Sequence, residues 1–259
     1  MTDDAATLLA TLPAWAFGFV LVMARIGSAI TLLPGLGESQ SPPMVRVGLA
    51  LGVTVLLLPA IEPSVPPVPE VSAQAGFMIV AEVITGLWIG WLARLLVLAL
   101  AVAGQFIAYM LGVANVLQPD ADLGGLASPI EQLFAMVAPL IILITGLYAV
   151  PLAALAGSYK LIPPGTLLPA ADTAETAVRA VAAAFALALR IASPFLLVAI
   201  VWHVATGLLA RLVPRLQVYF VVMPAQILGG IALLAMLATS LLTAWQVSVR
   251  AGFASLPGL

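Results

Sequence analysis

The chain has 259 residues, of which 63% are hydrophobic and 8% are charged, whereas an average soluble domain has roughly 25% charged residues. This composition indicates a membrane protein. The nine basic residues are scattered singly and the net charge is −2, so no basic patch is available for nucleic acid. The sequence has no cysteine and one histidine, which excludes disulfides and most thiol or metal chemistry. No cofactor is expected.

Six long apolar stretches predict an all-α integral membrane protein built from helical hairpins. They cover residues 8–33, 44–58, 71–111, 130–159, 174–212 and 217–250. The second has about 15 residues, which is marginal for a span of roughly 20, and the prolines from Pro59 to Pro69 predict a stiff extended spacer after it. The third would be roughly 60 Å long, twice a hydrocarbon core.

We expect one membrane-embedded domain over residues 1–259, with N-terminal helices (1–111), a central loop (112–129) and C-terminal hairpins (130–259). Prolines inside the apolar stretches predict kinks, which membrane interiors tolerate when neighbouring helices satisfy the freed carbonyl. Small residues allow close backbone approach, although glycine and alanine are also common in membrane helices generally. The residues predicted to kink or pack the helices are Gly86, Gly90, Gly104, Pro139, Pro151, Pro194, Pro224 and Gly229.

The central loop interrupts the apolar pattern with two prolines, two adjacent glycines and two carboxylates, so a helix cannot run through it. Two interpretations stay open. It is either a surface loop joining two helices, or a plug or pore-lining loop whose backbone groups are buried in protein or line a watery cavity. The candidate gate residues are Gly112, Val113, Asn115, Val116, Leu117, Pro119, Asp120, Asp122, Leu123, Gly124, Gly125 and Leu126.

Several charged and polar side chains lie within or beside the apolar stretches and need partners. An unpaired charge at the bilayer centre costs at least roughly 2.5–3.5 kcal/mol. Glu82 and Arg94 are about 18 Å apart along one helix and cannot pair with each other. Such residues either form a proton or ion pathway or make contacts between helices or subunits. The candidates are Arg25, Arg46, Glu82, Arg94, Gln105, Glu131, Arg190 and Arg211.

The sequence shows no arrangement typical of an enzyme. It has no GxSxG nucleophile elbow and no GxxxxGK phosphate loop, and Lys160 is its only lysine. Asp120 and Asp122 stand close together, but adjacent acids in a loop rich in glycine and proline are usually solvated. We therefore expect no catalytic activity.

The spacing of arginines, glycines and prolines along nearly the whole chain resembles the FliR family of the flagellar export apparatus. That family is close to a counterpart in virulence type III secretion. The matching positions are Arg25, Pro34, Val45, Arg46, Val47, Gly48, Leu49, Ala50, Leu51, Pro59, Gly86, Gly90, Gly104, Gln105, Gly112, Gly146, Pro163, Gly207, Leu208, Leu209, Arg211, Pro214 and Pro224. The chain departs from the family pattern at Pro119, Asp120, Arg215, Gln217 and Val222.

The resemblance implies a subunit of the type III flagellar protein export gate. FliR proteins join FliP and FliQ in a hetero-oligomeric helical assembly, with FlhB and FlhA nearby. The assembly lies in the bacterial inner membrane at the flagellar basal body and exports unfolded flagellar proteins. In this family the loop that matches residues 112–129 contributes to the plug of the closed channel. The alternatives are the virulence counterpart, an autonomous small-solute transporter or channel, and an assembly factor that does not line the pore.

Overall fold

The computed structural model describes residues 2–113, 128–212 and 218–259. In these ranges the regular structure is entirely helical, which confirms the prediction of an all-α protein. A 3₁₀ turn, Glu62–Ser64, directly follows the second helix. The helices are α1 (Thr2–Leu32), α2 (Pro43–Ile61), α3 (Ser72–Leu111), α4 (Pro129–Ile144), α5 (Ala149–Leu161), α6 (Ala170–Leu212) and α7 (Val218–Phe253).

Length and composition allow about as many membrane spans as the sequence predicts. Among the described residues, five helices are long and apolar enough to cross a membrane, and the number is six if α4 and α5, which are bent by 72° against each other, count as one broken span. Helices α3 and α6 have 40 and 43 residues. At 1.5 Å per residue each is roughly 60–65 Å long, about twice the thickness of a hydrocarbon core.

The second apolar stretch forms a longer helix than the predicted 44–58. It begins at Pro43, runs through Pro59 to Ile61, and with the following 3₁₀ turn makes a 22-residue segment. Pro59 removes only one hydrogen bond in the last turn of α2, so the helix continues past it. Pro63 stands in the first turn of the 3₁₀ helix, where a missing N–H costs nothing. The non-helical spacer is therefore shorter than predicted and covers residues 65–71.

The prediction of one kinked helix over residues 130–159 is wrong. The helix is interrupted at residues 145–148, between α4 and α5, and not at Pro139 or Pro151. Gly146 has a φ of +71°, a left-handed conformation that glycine adopts without strain and that ends a helix. Pro139 lies inside α4. Pro151 lies in the first turn of α5, where a backbone N–H would have no acceptor within the helix, so the N–H that proline lacks is not needed. Pro194 and Pro224 lie inside the continuous helices α6 and α7.

The chain divides into two compact units. The first contains Met1–Leu95, Ile142–Ala180 and Gly252–Leu259, and the second contains Leu96–Ile141 and Val181–Ala251. Four helices, α3, α4, α6 and α7, each include residues of both units. A single membrane-embedded domain over residues 1–259 stays a prediction.

In the first unit, the GxxxG spacing of α3 lies against α1. A Cβ placed on Gly86 would collide with the carbonyl oxygen of Arg25 and the hydroxyl of Ser28, and one placed on Gly90 would lie 2.7 Å from the carbonyl oxygen of Ala29. The two backbones therefore approach as closely as glycine allows. Glu82 lies four residues before Gly86 and hence on the same face of α3, which directs its carboxylate towards α1.

In the second unit, glycines bring α3 against α4 and α7. A Cβ on Gly104 would lie 3.0 Å from the carbonyl oxygen of Ile130 and 3.0 Å from the ring of Phe134. The sequence predicts a packing contact at Gly229, but a Cβ there would meet nothing within 4 Å. The close approach is instead at Gly230, against the side chain of Leu111, because neighbouring helical positions point about 100° apart.

The tight contact between α1 and α3 can be tested by adding one methyl group. We expect Gly86→Ala to lower the stability of the chain in detergent by about 1–3 kcal/mol, because the new Cβ must displace the backbone of α1. Gly76→Ala is the matched control, since Gly76 lies in the same helix and a Cβ there meets nothing within 4 Å. Thermal unfolding followed by tryptophan fluorescence would measure both variants. Equal midpoints for both variants would contradict the close packing.

Candidate functional site

The first unit contains a fully buried ion pair between α1 and α3. The Nε of Arg25 donates to Oε2 of Glu82 at 2.7 Å, and its Nη2 donates to Oε1 at 2.9 Å. Both side chains have an exposed fraction of 0%. Two parallel N–H···O bonds to one carboxylate are the strongest geometry that arginine offers. The structure therefore brings together two of the candidates that the sequence singles out, across 57 positions of chain.

The remaining hydrogen-bonding capacity of this pair is used by α5 and the turn after it. Nη1 of Arg25 donates to the hydroxyl of Ser158 at 3.2 Å and to the carbonyl of Ile162 at 3.0 Å. The ring centroid of Tyr159 lies 4.1 Å from the Cζ of Arg25, within range of a cation–π interaction. The backbone N–H of Gly165 donates to Oε1 of Glu82 at 2.6 Å. One arginine thus contacts α3, α5 and the connection to α6.

This arrangement favours a structural role over a proton or ion pathway. Both oxygens of Glu82 accept hydrogen bonds from Arg25, and one of them also accepts from Gly165. A buried ion pair offsets its desolvation cost only when its other donors and acceptors are also satisfied, and here they are. A carboxylate that relays protons would have to leave these partners in every cycle. We infer that the pair fixes the helices in place.

Sequence reasoning missed most of this cluster. Ser158, Tyr159 and Ile162 carried no signal, since a serine or tyrosine in an apolar helix usually packs or bonds to its own helix. The run Pro163, Pro164, Gly165 is a turn signal. Gly165 indeed has a φ of +79°, but no local pattern announces that its N–H faces Glu82.

Arg94 pairs with a residue that the sequence analysis did not single out. Its Nη2 lies 3.4 Å from Oε2 of Glu38, and its Nη1 lies 3.5 Å from the carbonyl oxygen of Leu32. The other oxygen of Glu38 accepts from the backbone N–H of Gly35 at 3.3 Å. The contact therefore joins α3 to the end of α1, where a cation also interacts favourably with unpaired carbonyls. Both side chains are partly exposed, so the pair contributes less than the buried one.

The chain enters the central loop through a hydrogen-bonded end of α3. Gly112 has a φ of +73°, and the N–H of Val113 donates to the carbonyl of Ala108 at 3.0 Å, a pattern that ends helices at glycine. The side chain of Gln226, in α7, donates to the carbonyl of Met110 at 3.0 Å. Residues 112 and 113 thus start the loop from a fixed point in the second unit.

The chain leaves the loop through a capping box at the start of α4. The N–H of Glu131 donates to the hydroxyl of Ser128 at 3.2 Å, and the N–H of Ser128 donates back to the carboxylate of Glu131 at 3.3 Å. The side-chain oxygen of Gln105 accepts from the same N–H at 3.3 Å. Gln105 and Glu131 were candidates from sequence, whereas Ser128 was missed although Ser-x-x-Glu before an apolar run is the signature of such a cap.

The other candidates have different settings. The gate residues from Asn115 to Leu126 lie outside the described residues. Arg46, in α2, is half-buried, and its Nε is buried with no partner in the part of the chain that the structure describes. Arg211 is exposed in the last turn of α6. Arg190 is exposed midway along α6.

Breaking the buried pair on one side should be much worse than removing it entirely. We expect Arg25→Met to destabilise the chain in detergent by about 3–5 kcal/mol, because the Glu82 carboxylate is left buried without a counter-charge. The double variant Arg25→Met with Glu82→Met should be more stable than Arg25→Met alone. The thermal unfolding midpoint of each purified variant provides the measurement.

The control for this experiment is the exposed ion pair between Arg179 and Glu175. Arg179→Ala should leave the midpoint unchanged, because solvent screens that pair. If the losses of the two single variants at Arg25 and Glu82 simply added up in the double variant, the two residues would not act as a pair.

Comparison with known proteins now identifies the family. The family described as bacterial export proteins, family 1, matches residues 16–251. The flagellar biosynthetic protein FliR of Caulobacter vibrioides is 29% identical over 230 residues, which are 89% of this chain and 92% of that protein. FliR of Bacillus subtilis is 27% identical over 215 residues, 81% of each chain, and FliR of Escherichia coli is 26% identical over 217 residues, 82% and 81%.

These matches confirm the resemblance to the FliR family and the expected function in flagellar protein export. The family match extends over the ion pair, both ends of the central loop, helices α2 to α6, the second half of α1 and nearly all of α7. The chain belongs to the bacterial export proteins, family 1.

Proposed function

We propose that this chain assembles with FliP and FliQ, with FlhB and FlhA nearby, as a subunit of the flagellar export gate in the bacterial inner membrane at the basal body. Unfolded flagellar proteins would pass through the channel that these subunits enclose. The observation that carries the proposal is the length of α3. This helix has 40 residues, of which only Glu82 and Arg94 are charged, and is roughly 60 Å long. A core of roughly 30 Å accommodates only about 40 Å of helix even at a tilt of 40°.

The surface that lipid cannot cover needs protein neighbours. Only 50% of the most apolar window of α3 is buried within the chain, and the corresponding shares for α2 and α7 are 17% and 11%. Apolar helices of this kind are stable outside hydrocarbon only when other helices bury them. A hetero-oligomeric assembly supplies such neighbours, whereas an autonomous solute transporter of this single chain would leave the excess length in water.

We further propose that residues 112–126 contain the plug of the channel, with residues 112 and 113 as its fixed start and the residues after them as its movable part. Support comes from the fixed points on either side, the end of α3 at Gly112 and the capping box at Ser128. A segment held at both ends can swing aside without being lost from the pore. Its apolar side chains, among them Val116, Leu117 and Leu123, are of the kind that closes a pore by excluding water.

The assembly is tested by purifying the chain in mild detergent after expression with its native operon neighbours. Native mass spectrometry should find it in a large complex with small hydrophobic proteins. Recovery as a monomer or homodimer, with the neighbours present but unbound, would contradict the proposal. A purified single chain that transports a small solute would support the transporter instead.

The plug is tested by deleting residues 120–125. We expect the assembled complex to form as before and to become permeable to small ions, because the occluding segment is too short to close the channel. Conductance of the purified complex in planar bilayers measures this. The control is Asp120→Asn with Asp122→Asn, which keeps the length and removes only the charges. An assembled deletion variant with unchanged conductance would overturn the plug assignment.

A further inference from the structure

Helices α6 and α7 of the second unit form an open groove with one cation in it. The groove has a volume of about 570 Å³, and its polar lining consists of Arg190, Thr239, Ser240, Thr243 and Ser248. Arg190 and the threonines are exposed. The surrounding helix surface is largely apolar, with ten uncharged residues before Arg190 and twenty after it. A charge in such a setting needs a counter-charge.

The part of the chain that the structure describes does not supply this counter-charge. Arg25, Arg94 and Arg179 each have a carboxylate within 4 Å, whereas the guanidinium of Arg190 has no ion pair or hydrogen bond with any described residue. The hydroxyls of Thr243 and Ser248 donate to the carbonyls of Thr239 and Ala244 in their own helix. Those two hydroxyls are therefore already bonded within α7, whereas the guanidinium donors of Arg190 are open. Among the described side chains, no anion lines the groove.

The position of Arg190 argues against a lipid phosphate as the missing anion. Ten uncharged residues separate it from Arg179 and twenty separate it from Arg211, so roughly 15 Å of uncharged helix lies before it and roughly 30 Å after it. Phosphates lie outside the hydrocarbon core, and the flanking residues are apolar on both sides. An arginine at this place is instead typical of a contact with a carboxylate on a neighbouring helix.

We propose that this groove receives an aspartate or glutamate side chain from a helix of another subunit, with the guanidinium of Arg190 as its bidentate partner. The inference rests on the proposed assembly and names one contact within it. Arginine is suited to this contact because its planar fork binds both carboxylate oxygens, which lysine cannot do. The hydroxyl of Ser240 lies beside the site and can donate a further hydrogen bond to the same carboxylate.

The test compares charge variants in the complex purified with its operon neighbours. Arg190→Glu should reduce the amount of chain recovered in the complex at least about tenfold, because it places two like charges at the contact. Arg190→Lys should restore part of the recovery. Arg179→Glu is the matched control, since Arg179 is exposed on the same helix and pairs with Glu175, and it should leave the recovery unchanged. An Arg190→Glu complex recovered like wild type would overturn the inference.

Two measurements keep the test clear of folding defects. The abundance and unfolding midpoint of the chain expressed alone should be the same for wild type and Arg190→Glu, because Arg190 has no described partner to lose. In the wild-type background, a photoreactive amino acid at Thr243 should cross-link to another subunit within the assembled complex. Cross-links to phospholipid alone would assign the groove to lipid and overturn the inference.

The outcomes also separate this inference from the proposed function. If the wild-type chain is recovered in no complex, the assembly itself is wrong and the contact falls with it. If the wild-type complex forms and Arg190→Glu has no effect, only the contact is wrong. Motile revertants of Arg190→Glu that carry a new lysine or arginine in place of an acid in another subunit would identify the partner residue directly.

Discussion

The first unit depends on the buried ion pair between Arg25 and Glu82. Two charges removed from water cost several kcal/mol each, and their attraction compensates only when the geometry is bidentate and the other donors are satisfied. Ser158, Ile162 and Gly165 meet that condition. Because these residues lie on α5 and the turn before α6, the requirement of one ion pair fixes the mutual position of three separate parts of the chain.

The small residues of α3 make this pair possible. Gly86 lets the backbone of α3 lie against the carbonyl of Arg25. Glu82 lies one turn before Gly86 on the same face of the helix. A larger residue at position 86 would push against the backbone of α1 and strain the contact between the two charges. Close packing at Gly86 and charge pairing at Glu82 are therefore two parts of one contact between α1 and α3.

Two settings of charged residues differ in whether a partner lies within the described residues. Arg25, Glu82 and Arg94 are paired within the first unit and hold its helices together. Arg190 faces outwards from an apolar hairpin with no described partner. In the contact proposed above, such an open charge would let one subunit recognise another, since the wrong neighbour would leave it unpaired.

The helical class, the approximate number of spans and the need for partners at Arg25, Glu82 and Arg94 could be predicted from the sequence. Hydrophobic length and the cost of a buried charge are local properties. The sequence did not reveal which residues pair, since Glu82 lies 57 positions from Arg25 and only packing brings them together. It also placed the break between α4 and α5 at prolines, whereas one glycine at position 146 with positive φ decided it. The capping box at Ser128 could have been predicted from its Ser-x-x-Glu pattern but was missed.

Arg25 and Glu82 satisfy each other within one chain and organise its first unit. The most direct measurement is a cryo-EM map, at side-chain resolution, of the complex purified with its operon neighbours. We expect density for the two side chains to be joined, with the turn at Gly165 against the carboxylate. A map in which Arg25 or Glu82 instead contacts a different subunit would contradict the account.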